Sequence, residues 1–562
     1  MGIGATRVEE RMFAALGLGS GSQVCFEPCQ SLEYGGVLFL IPFLLANGLL
    51  SYKKHYSQRD GGYYNFDQAL LTFALMLLCR IKTLEQLKHI QPGEFGKLMG
   101  LDRSPEAKCL RGMFKELFLQ KKAEQWGVNL AEDWINDEQP GIYYIDGHLL
   151  AYHGHLANLG KKHSSRQRLC VPGMMEFWVN NAQGMPYFFV TGQVNEKLQQ
   201  AIEERIVPQL NVLSQNTIQN KAHFTNENEP AYTLVFDREA YSPAFFAKLW
   251  ILYHVAVITY NKNVKDKWDE NDFDDFETIT DIGTVKMKLK EKHFEVNGVK
   301  MREIRKLTSS GHQTSIITSN PVLSTNLIAI YMFARWTQEN FFRYMRQEYG
   351  IDKIMEYGVD EIDNNVKVVN REYSNLTYLL KKIREKIARR KAILFQLIEE
   401  NINTPLEDTG KSIRKQLKIK EELNSLAEEE GEAIAQRKKI PYYISIAQMP
   451  DDTRYNKLKT ESKHLQNIVK MICYRADTAF ANILAPYYNK SNDEIRALVK
   501  SIIFCKADLE PDYINNTLSV TLYSLATPRD NHAVKNICEL LNDTETEFPR
   551  TNLRLIYKSA TI

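Results

Sequence analysis

Three carboxylates stand out by where they fall in the chain. Asp146 closes the apolar run "IYYID" (142–146), Asp237 closes "YTLVFD" (232–237), and Glu339 lies in "RWTQENFFRYMRQEYG" (335–350) among Arg335, Arg343 and Arg346. A lone Asp after a strand is ordinarily a turn residue. Two of them, ending the first and fourth strands of one domain, would present their carboxylates at a sheet edge. Three acids converging there could hold two Mg²⁺ or Mn²⁺ ions. One ion would activate water or a 3′ hydroxyl, and the other would stabilise the leaving oxygen of an in-line displacement at phosphorus. Arginines in excess of the acid suit phosphates outside the metal shell. The chemistry implied is on phosphodiesters, with no covalent protein nucleophile.

These residues need a scaffold, and the sequence around them reads as one. "IYYID", "MMEFWVN" (174–180) and "PYFFVTG" (186–192) are three successive strands by pattern, joined by short turns. A helix over 196–210, strand 232–237, helix "PAFFAKLWILY" (243–253) and strand "AVITY" (256–260) follow. That succession is the order of an α/β ribonuclease-H-like core. An acidic loop (266–277) and alternating strands over 284–319 read as a β-strand insertion ahead of one helix over 326–347. At about 100° per residue, Ile330, Phe333, Phe341 and Tyr344 fall opposite Glu339, while Tyr331, Arg335 and Arg346 lie near it. The helix is expected to pack by the apolar stripe and display the charged one.

The flanks read as all-α. In "EFGKLMGLDRSPEAKCLRGMFKELF" (94–118) the spacing predicts a helix-turn-helix: a short helix through Met99, a Gly100-Leu101-Asp102 turn, then Ser104 capping a helix with Pro105 at its first position. Lys108, Arg111 and Lys115 share a stripe of that second helix and are candidate DNA contacts. "GVLFLIPFLLANGLL" (36–50) is short for a bilayer span and reads as a buried helix. From 375 onward Leu376, Leu380, Ile383, Ile387, Leu394 and Leu397 keep heptad spacing, with Arg390 at a position that should be apolar. This long helix runs from basic to acidic, which suits either a DNA backbone or a partner helix.

Bulk properties set limits. At 562 residues the chain exceeds one core, and a formal charge of +2 leaves any nucleic-acid surface to local clusters. Eight cysteines scattered over this length are too sparse for a disulfide framework and read as reduced thiols. Acidic and basic residues near the start interrupt any apolar leader, so the cytosol is expected. His148, His153, His155 and His163 follow Asp146 without a cysteine to complete a structural zinc site; such histidines more often pair with carboxylates or phosphates. Lys161, Lys162, Arg166 and Arg168 form a basic loop suited to phosphate. Trp336, beside the charged stripe, is expected to pack.

Taken together, "YIDGHLLAYHG" (144–154), "SRQRLCVPG" (165–173), "LVFDREAYSP" (234–243) and "RWTQENFFRYM" (335–345) resemble the DDE transposases of bacterial insertion sequences. "YRADTAFANILAPY" (474–487) and "FPRTNLRLIYK" (548–558) look like the C-terminal part of that family, so the resemblance runs from about residue 31 onward. It implies that Asp146, Asp237 and Glu339 are the catalytic, metal-binding triad for two Mg²⁺ or Mn²⁺ ions. It implies cleavage at transposon DNA ends and strand transfer into target DNA. The implied partner is double-stranded DNA, both terminal inverted repeats and target, bound by a homodimer assembled on it. The setting would be the bacterial cytoplasm at the nucleoid, with no membrane. One subgroup carries a Tyr-Arg-Glu-Lys signature. Tyr331, Arg335, Glu339 and Arg346 look like its counterpart, with a Tyr-to-Arg gap one residue longer and Arg in place of Lys; with Arg343, the cations and Tyr331 are the expected DNA contacts.

The implied organisation is a short, partly flexible segment (1–30), too small for a complete DNA-binding domain, and a helical DNA-binding region (31–138). A ribonuclease-H-like domain (139–265 and 325–372) follows, interrupted by the β insertion (266–324), then a helical C-terminal region (373–562). The alternatives are a nuclease of the same fold that cuts without joining, and a non-catalytic DNA-binding remnant.

Overall fold

The computed structural model describes residues 6–18, 21–59, 61–138, 141–154, 157–164, 168–213, 229–262, 264, 266–280, 283–353, 359–361, 367–402, 409–449, 454, 456–488 and 490–560. His155 and Arg166 lie outside the described residues. The strands in chain order are β1 (Cys29–Leu32), β2 (Ile142–Ala151), β3 (Lys161–Ser164), β4 (Leu169–Asn180), β5 (Pro186–Gln193), β6 (Tyr232–Phe236) and β7 (Val255–Tyr260). They continue with β8 (Asp274–Thr280), β9 (Gly283–Val296), β10 (Val299–Leu307) and β11 (Gln313–Thr318).

Ten of these form one mixed sheet, ordered β3-β4-β2-β6-β7-β11-β10-β9-β8, with β5 also on β4. Strands β5, β4 and β2 pair antiparallel, and β2, β6 and β7 run parallel. Every residue of β6 is buried, as expected for a central strand whose two faces are both covered. The insertion prolongs the same sheet: β11 pairs antiparallel with β7, and β10, β9 and β8 continue as a meander.

The largest hydrophobic cluster runs through the N-terminal helices, the sheet and the C-terminal helices without interruption. By length and composition Gly35–Lys54 could cross a membrane; here Val37–Ile41 are fully buried in that core. It is not one helix but a 3₁₀ turn, a short α-helix and a second 3₁₀ turn, broken where Gly48 adopts a left-handed φ of 84°.

Four expectations need correction. The helix-turn-helix departs from the expected spacing: one helix ends at Lys97, and the next is Ala107–Gln120, with Glu106 at its N-cap position but no side-chain cap, so Ser104 and Pro105 lie outside it. Ser104 is buried, and its backbone N–H donates to Pro92 O. The segment between the helices turns at Gly100, which adopts a left-handed φ of 63°, and is extended at Glu106, after Pro105. The 196–210 helix contains a π turn, Ile202–Ile206, just before Pro208, whose missing N–H and ring disrupt regular α bonding. The single helix over 326–347 is two helices, Thr325–Phe333 and Trp336–Tyr349, joined by tighter three-residue bonds such as Gln338 N–H to Arg335 O at 3.1 Å.

Finally, the flanks are not all-α. Strand β1 pairs with Ala507–Asp512 in a four-stranded sheet completed by Thr517–Leu522 and Arg554–Ser559. "TLSVTL" alternates buried and half-buried positions, the two-residue period of a strand with one covered face. Farther out, helices Arg371–Ile402 and Thr409–Lys439 form an antiparallel hairpin with its own small seam around Leu380, Ile383 and Ala433. Arg390 pairs across it with Glu422 at 2.7 Å, which accounts for a cation at a heptad position.

Candidate active site

The parallel ladder fixes the first two acids. The last residues paired between β2 and β6 are Ile145 and Phe236. Asp146 and Asp237 each follow by one residue, so both carboxylates emerge at the same level of adjacent strands. Asp237 caps a 3₁₀ turn, its Oδ1 accepting from Arg238 N–H at 2.7 Å. Asp146 Oδ1 accepts from Gly147 N–H at 2.9 Å.

Glu339 arrives on the Trp336–Tyr349 helix, which is anchored from below. Fully buried Gln338 donates through Nε2 to Asn180 Oδ1 at 3.1 Å and to Tyr144 O at 3.3 Å, gripping β4 and β2. Phe341 packs on Trp178, the β4 residue opposite Asp146, with ring centroids 5.4 Å apart. Arg335, 13 % exposed, then joins the acids: Nη2 lies 2.8 Å from Glu339 Oε1, and Nη1 lies 3.6 Å from Asp146 Oδ2. It is therefore engaged with carboxylates rather than turned outward.

Burial pushes the Asp146 carboxyl up to about 6; Arg335 opposes the shift, while Asp237 and Glu239 add like-charge repulsion. Among the described residues, no three His, Cys, Asp or Glu side chains are gathered closely enough to hold a metal ion. Two of the acids instead share a guanidinium.

Tyr260 was missed by sequence reasoning. It ends β7, next in the parallel ladder to Asp237's strand. Burial raises its pKa, Arg335 opposes this, and Asp237 adds to it; the Arg238 guanidinium lies 5.7 Å from its ring centroid. The signal was present, since "AVITY" ends a buried strand just as "YTLVFD" does. Tyr331 does not join the acids: it packs against the second core cluster, and its carbonyl accepts from Tyr144 O–H at 2.7 Å. Trp336 is 51 % exposed rather than packed.

Beside Asp146 opens a cleft of about 850 Å³. Its cations come from distant parts of the chain: Lys82 and Arg111, Lys162, and Arg346 and Lys353. His148, His153 and His163 also line it. Of the expected DNA contacts, Arg346 and Arg111 thus border the cleft, Arg111 paired with Glu85. Arg343, Lys108 and Lys115 are exposed outside its lining. Lys162, expected in a basic loop, stands instead on β3, 3.4 Å from Glu239.

A family model described as a transposase protein matches residues 2–561. The chain belongs to this transposase family. No match was found among the curated proteins. As a transposase it takes DNA as its partner and belongs to the enzymes that cleave and transfer DNA. A cleft lined by cations next to carboxylates is what a polyanionic substrate requires, because phosphate contacts dominate affinity for nucleic acid. Replacing Arg346 with Ala should therefore weaken DNA binding and lower the slope of log affinity against log salt by about one. Titrations between 50 and 200 mM salt, roughly the range over which such contacts are lost, would test it; an unchanged slope excludes Arg346 from phosphate contact.

Proposed function

We propose that this transposase is of the DDE type, with a ribonuclease-H-like core in which Asp146, Asp237 and Glu339 are the catalytic acids. It would cut DNA at transposon ends and join the freed 3′ hydroxyl to target DNA, acting as a homodimer on terminal inverted repeats in the bacterial cytoplasm. One observation carries the proposal: Asp146 and Asp237 stand at one level, each one residue past the last pairing between the adjacent parallel strands β2 and β6, and Arg335 ties Asp146 to Glu339, beside a cationic cleft. The strand order β5-β4-β2-β6-β7, antiparallel then parallel, supports the fold assignment.

The donor chemistry fits Mg²⁺ or Mn²⁺. Hard carboxylate oxygens come from three segments, and part of the rise at Asp146 is repulsion from neighbouring carboxylates, which a cation would relieve. Asp146, Asp237 and Glu339 would hold the ions. Glu339 is 61 % exposed and paired with Arg335 four residues earlier, an interaction contributing only about 0.3–0.5 kcal/mol, so little opposes its release for ligation. Bound there, two ions would supply an activated oxygen nucleophile and stabilise charge on the leaving oxygen. The protein's own groups do the rest: cations of the cleft orient the phosphodiester backbone, and Gln338 fixes the height of the Glu339 helix.

The decisive experiment supplies pre-cut DNA from the flanks of the reading frame, with a free 3′ hydroxyl, and a plasmid target. Joining that requires Mg²⁺ or Mn²⁺ is the expected result. Cutting without joining would favour a nuclease, and binding alone a non-catalytic remnant. Because protons compete with cations for Asp146, the Mn²⁺ needed for half-maximal cleavage should climb as pH falls below about 6, by about tenfold per unit. A requirement independent of pH between 5 and 7 would remove Asp146 from the site.

A further inference from the structure

The helix that presents Glu339 is gripped at its far end by two buried lysines. Gly350 terminates it at a left-handed φ of 58°. Just beyond, Lys470 Nζ donates to Gly350 O at 2.8 Å and Lys463 Nζ donates to Ile351 O. Both lysines belong to the Glu461–Tyr488 helix and are 1 % and 2 % exposed. Lys463, Asn467 and Lys470 recur at four- and three-residue intervals, one face of that helix.

Their counter-charges tie this face to the sheet. Glu176, fully buried on β4, lies 3.8 Å from Lys463 Nζ and accepts from Asn467 Nδ2 at 2.9 Å and Trp178 Nε1 at 3.2 Å. Opposite Glu176 on β2 stands His148. Its Nε2 lies 2.8 Å from Asp352 Oδ1, and its ring stacks on Phe342. Asp352 follows directly on the two carbonyl groups that the lysines hold.

Burying two ammonium groups is costly, and neutral donors could satisfy two carbonyls at less cost. What lysines add is a donor on a stem long enough to reach both carbonyls at the negative end of a helix; Glu176 anchors Lys463 to the strand beside Asp146's own, while burial pushes the Lys470 amine well below its ordinary pKa. We propose that Lys463 and Lys470 are positioning residues for Glu339. With Glu176 and Asp352 they clamp the end of its helix against β2 and β4, and thereby set the separation of Glu339 from Asp146. This rests on the assignment of Glu339 as a catalytic acid.

Two readouts keep the clamp and that assignment apart. Hydrogen exchange over 336–349, in the full chain without DNA or metal, reads the clamp; the cleavage rate at saturating flanking DNA with Mn²⁺ reads the site. The variants are Lys470→Met, and Lys463→Met combined with Glu176→Gln, which removes one cation and one anion together in case the first fails to fold. Exchange should quicken about tenfold or more, and cleavage should fall about 10- to 100-fold with the half-saturating DNA concentration within about twofold of wild type. Unchanged exchange in a folded variant overturns the clamp, and faster exchange with wild-type cleavage overturns the positioning role. If the wild type itself cuts nothing, the acid assignment fails, and exchange alone decides the clamp.

Discussion

Asp146→Asn is expected to abolish DNA cleavage while leaving DNA affinity nearly unchanged. The substitution keeps the shape and the Gly147 hydrogen bond but removes the charge that an active-site cation would need. Ligand charge in such a site is worth several kcal/mol of transition-state stabilisation, so the loss should exceed about a thousandfold. Asp237→Asn and Glu339→Gln should behave alike. A built-in control separates lost chemistry from lost folding. The folded state holds the Asp146 proton from the ordinary value of 3.8 up to about 6. Native stability therefore declines as pH rises through that window and is fully retained below it. Asparagine carries no such charge. At pH 8 the variant should unfold later than wild type, by about 1–2 kcal/mol after discounting for solvent access at the sheet edge, and the two should converge below pH 4. A variant that is stabilised yet inert would mark Asp146 as a residue held for chemistry at the expense of the fold. Retained Mg²⁺-dependent cleavage would end the assignment.

The places of Asp146 and Asp237 were legible because each follows an apolar run, a pattern that depends only on local sequence; Asp237 does follow the end of β6, whereas β2 continues past Asp146 to Ala151 because β4 keeps pairing with it. The helix that carries Glu339 was legible from its stripe, although the break at Ala334–Arg335 was not, since hydrophobic periodicity continues across a turn that costs no register. Only half of Arg335's surroundings were legible. Its surplus of charge suggested phosphate, but the carboxylate of Asp146, which is distant in sequence, lies beside it in space and takes up one side of the guanidinium. The same blindness to long-range partners hid the C-terminal sheet, where Cys29 pairs with Leu509. It also hid the buried polar face of the Glu461–Tyr488 helix. Lysines at 463 and 470 look like solvated residues until Glu176 and the carbonyls after Tyr349 are brought to them by the fold.

The largest loss of stability is expected from Asp477→Ala, on that same helix. Asp477 is fully buried and serves four donors: Arg80 Nη2 at 2.8 Å, Tyr349 O–H at 2.7 Å, Tyr344 O–H at 2.9 Å and Arg496 Nη1 at 2.9 Å. Burial alone would raise its pKa, yet Arg80 and Arg496 hold it down at about 2. The stability this confers is present above pH 3.8 and is lost as pH falls toward 2. Removing the carboxylate strands two arginines of low exposure; Glu348 remains 3.1 Å from Arg80, but Arg496 keeps no comparable acid among the described residues. Stranding a buried charge costs about 3–5 kcal/mol, visible as a lower midpoint in urea. If the cost is uncompensated charge rather than lost packing, Asp477→Leu combined with Arg80→Met and Arg496→Met should recover most of it. Failure of that triple variant to outlast Asp477→Ala would instead mean that the hydroxyls of Tyr344 and Tyr349 need the acid. Arg80 follows an N-terminal helix, the tyrosines come from the Glu339 helix, and Asp477 and Arg496 from the C-terminal helices, so the damage should spread to the proposed catalytic acids. Cleavage by the folded fraction of Asp477→Ala should then fall as well, whereas a purely peripheral role would leave the rate per folded molecule intact.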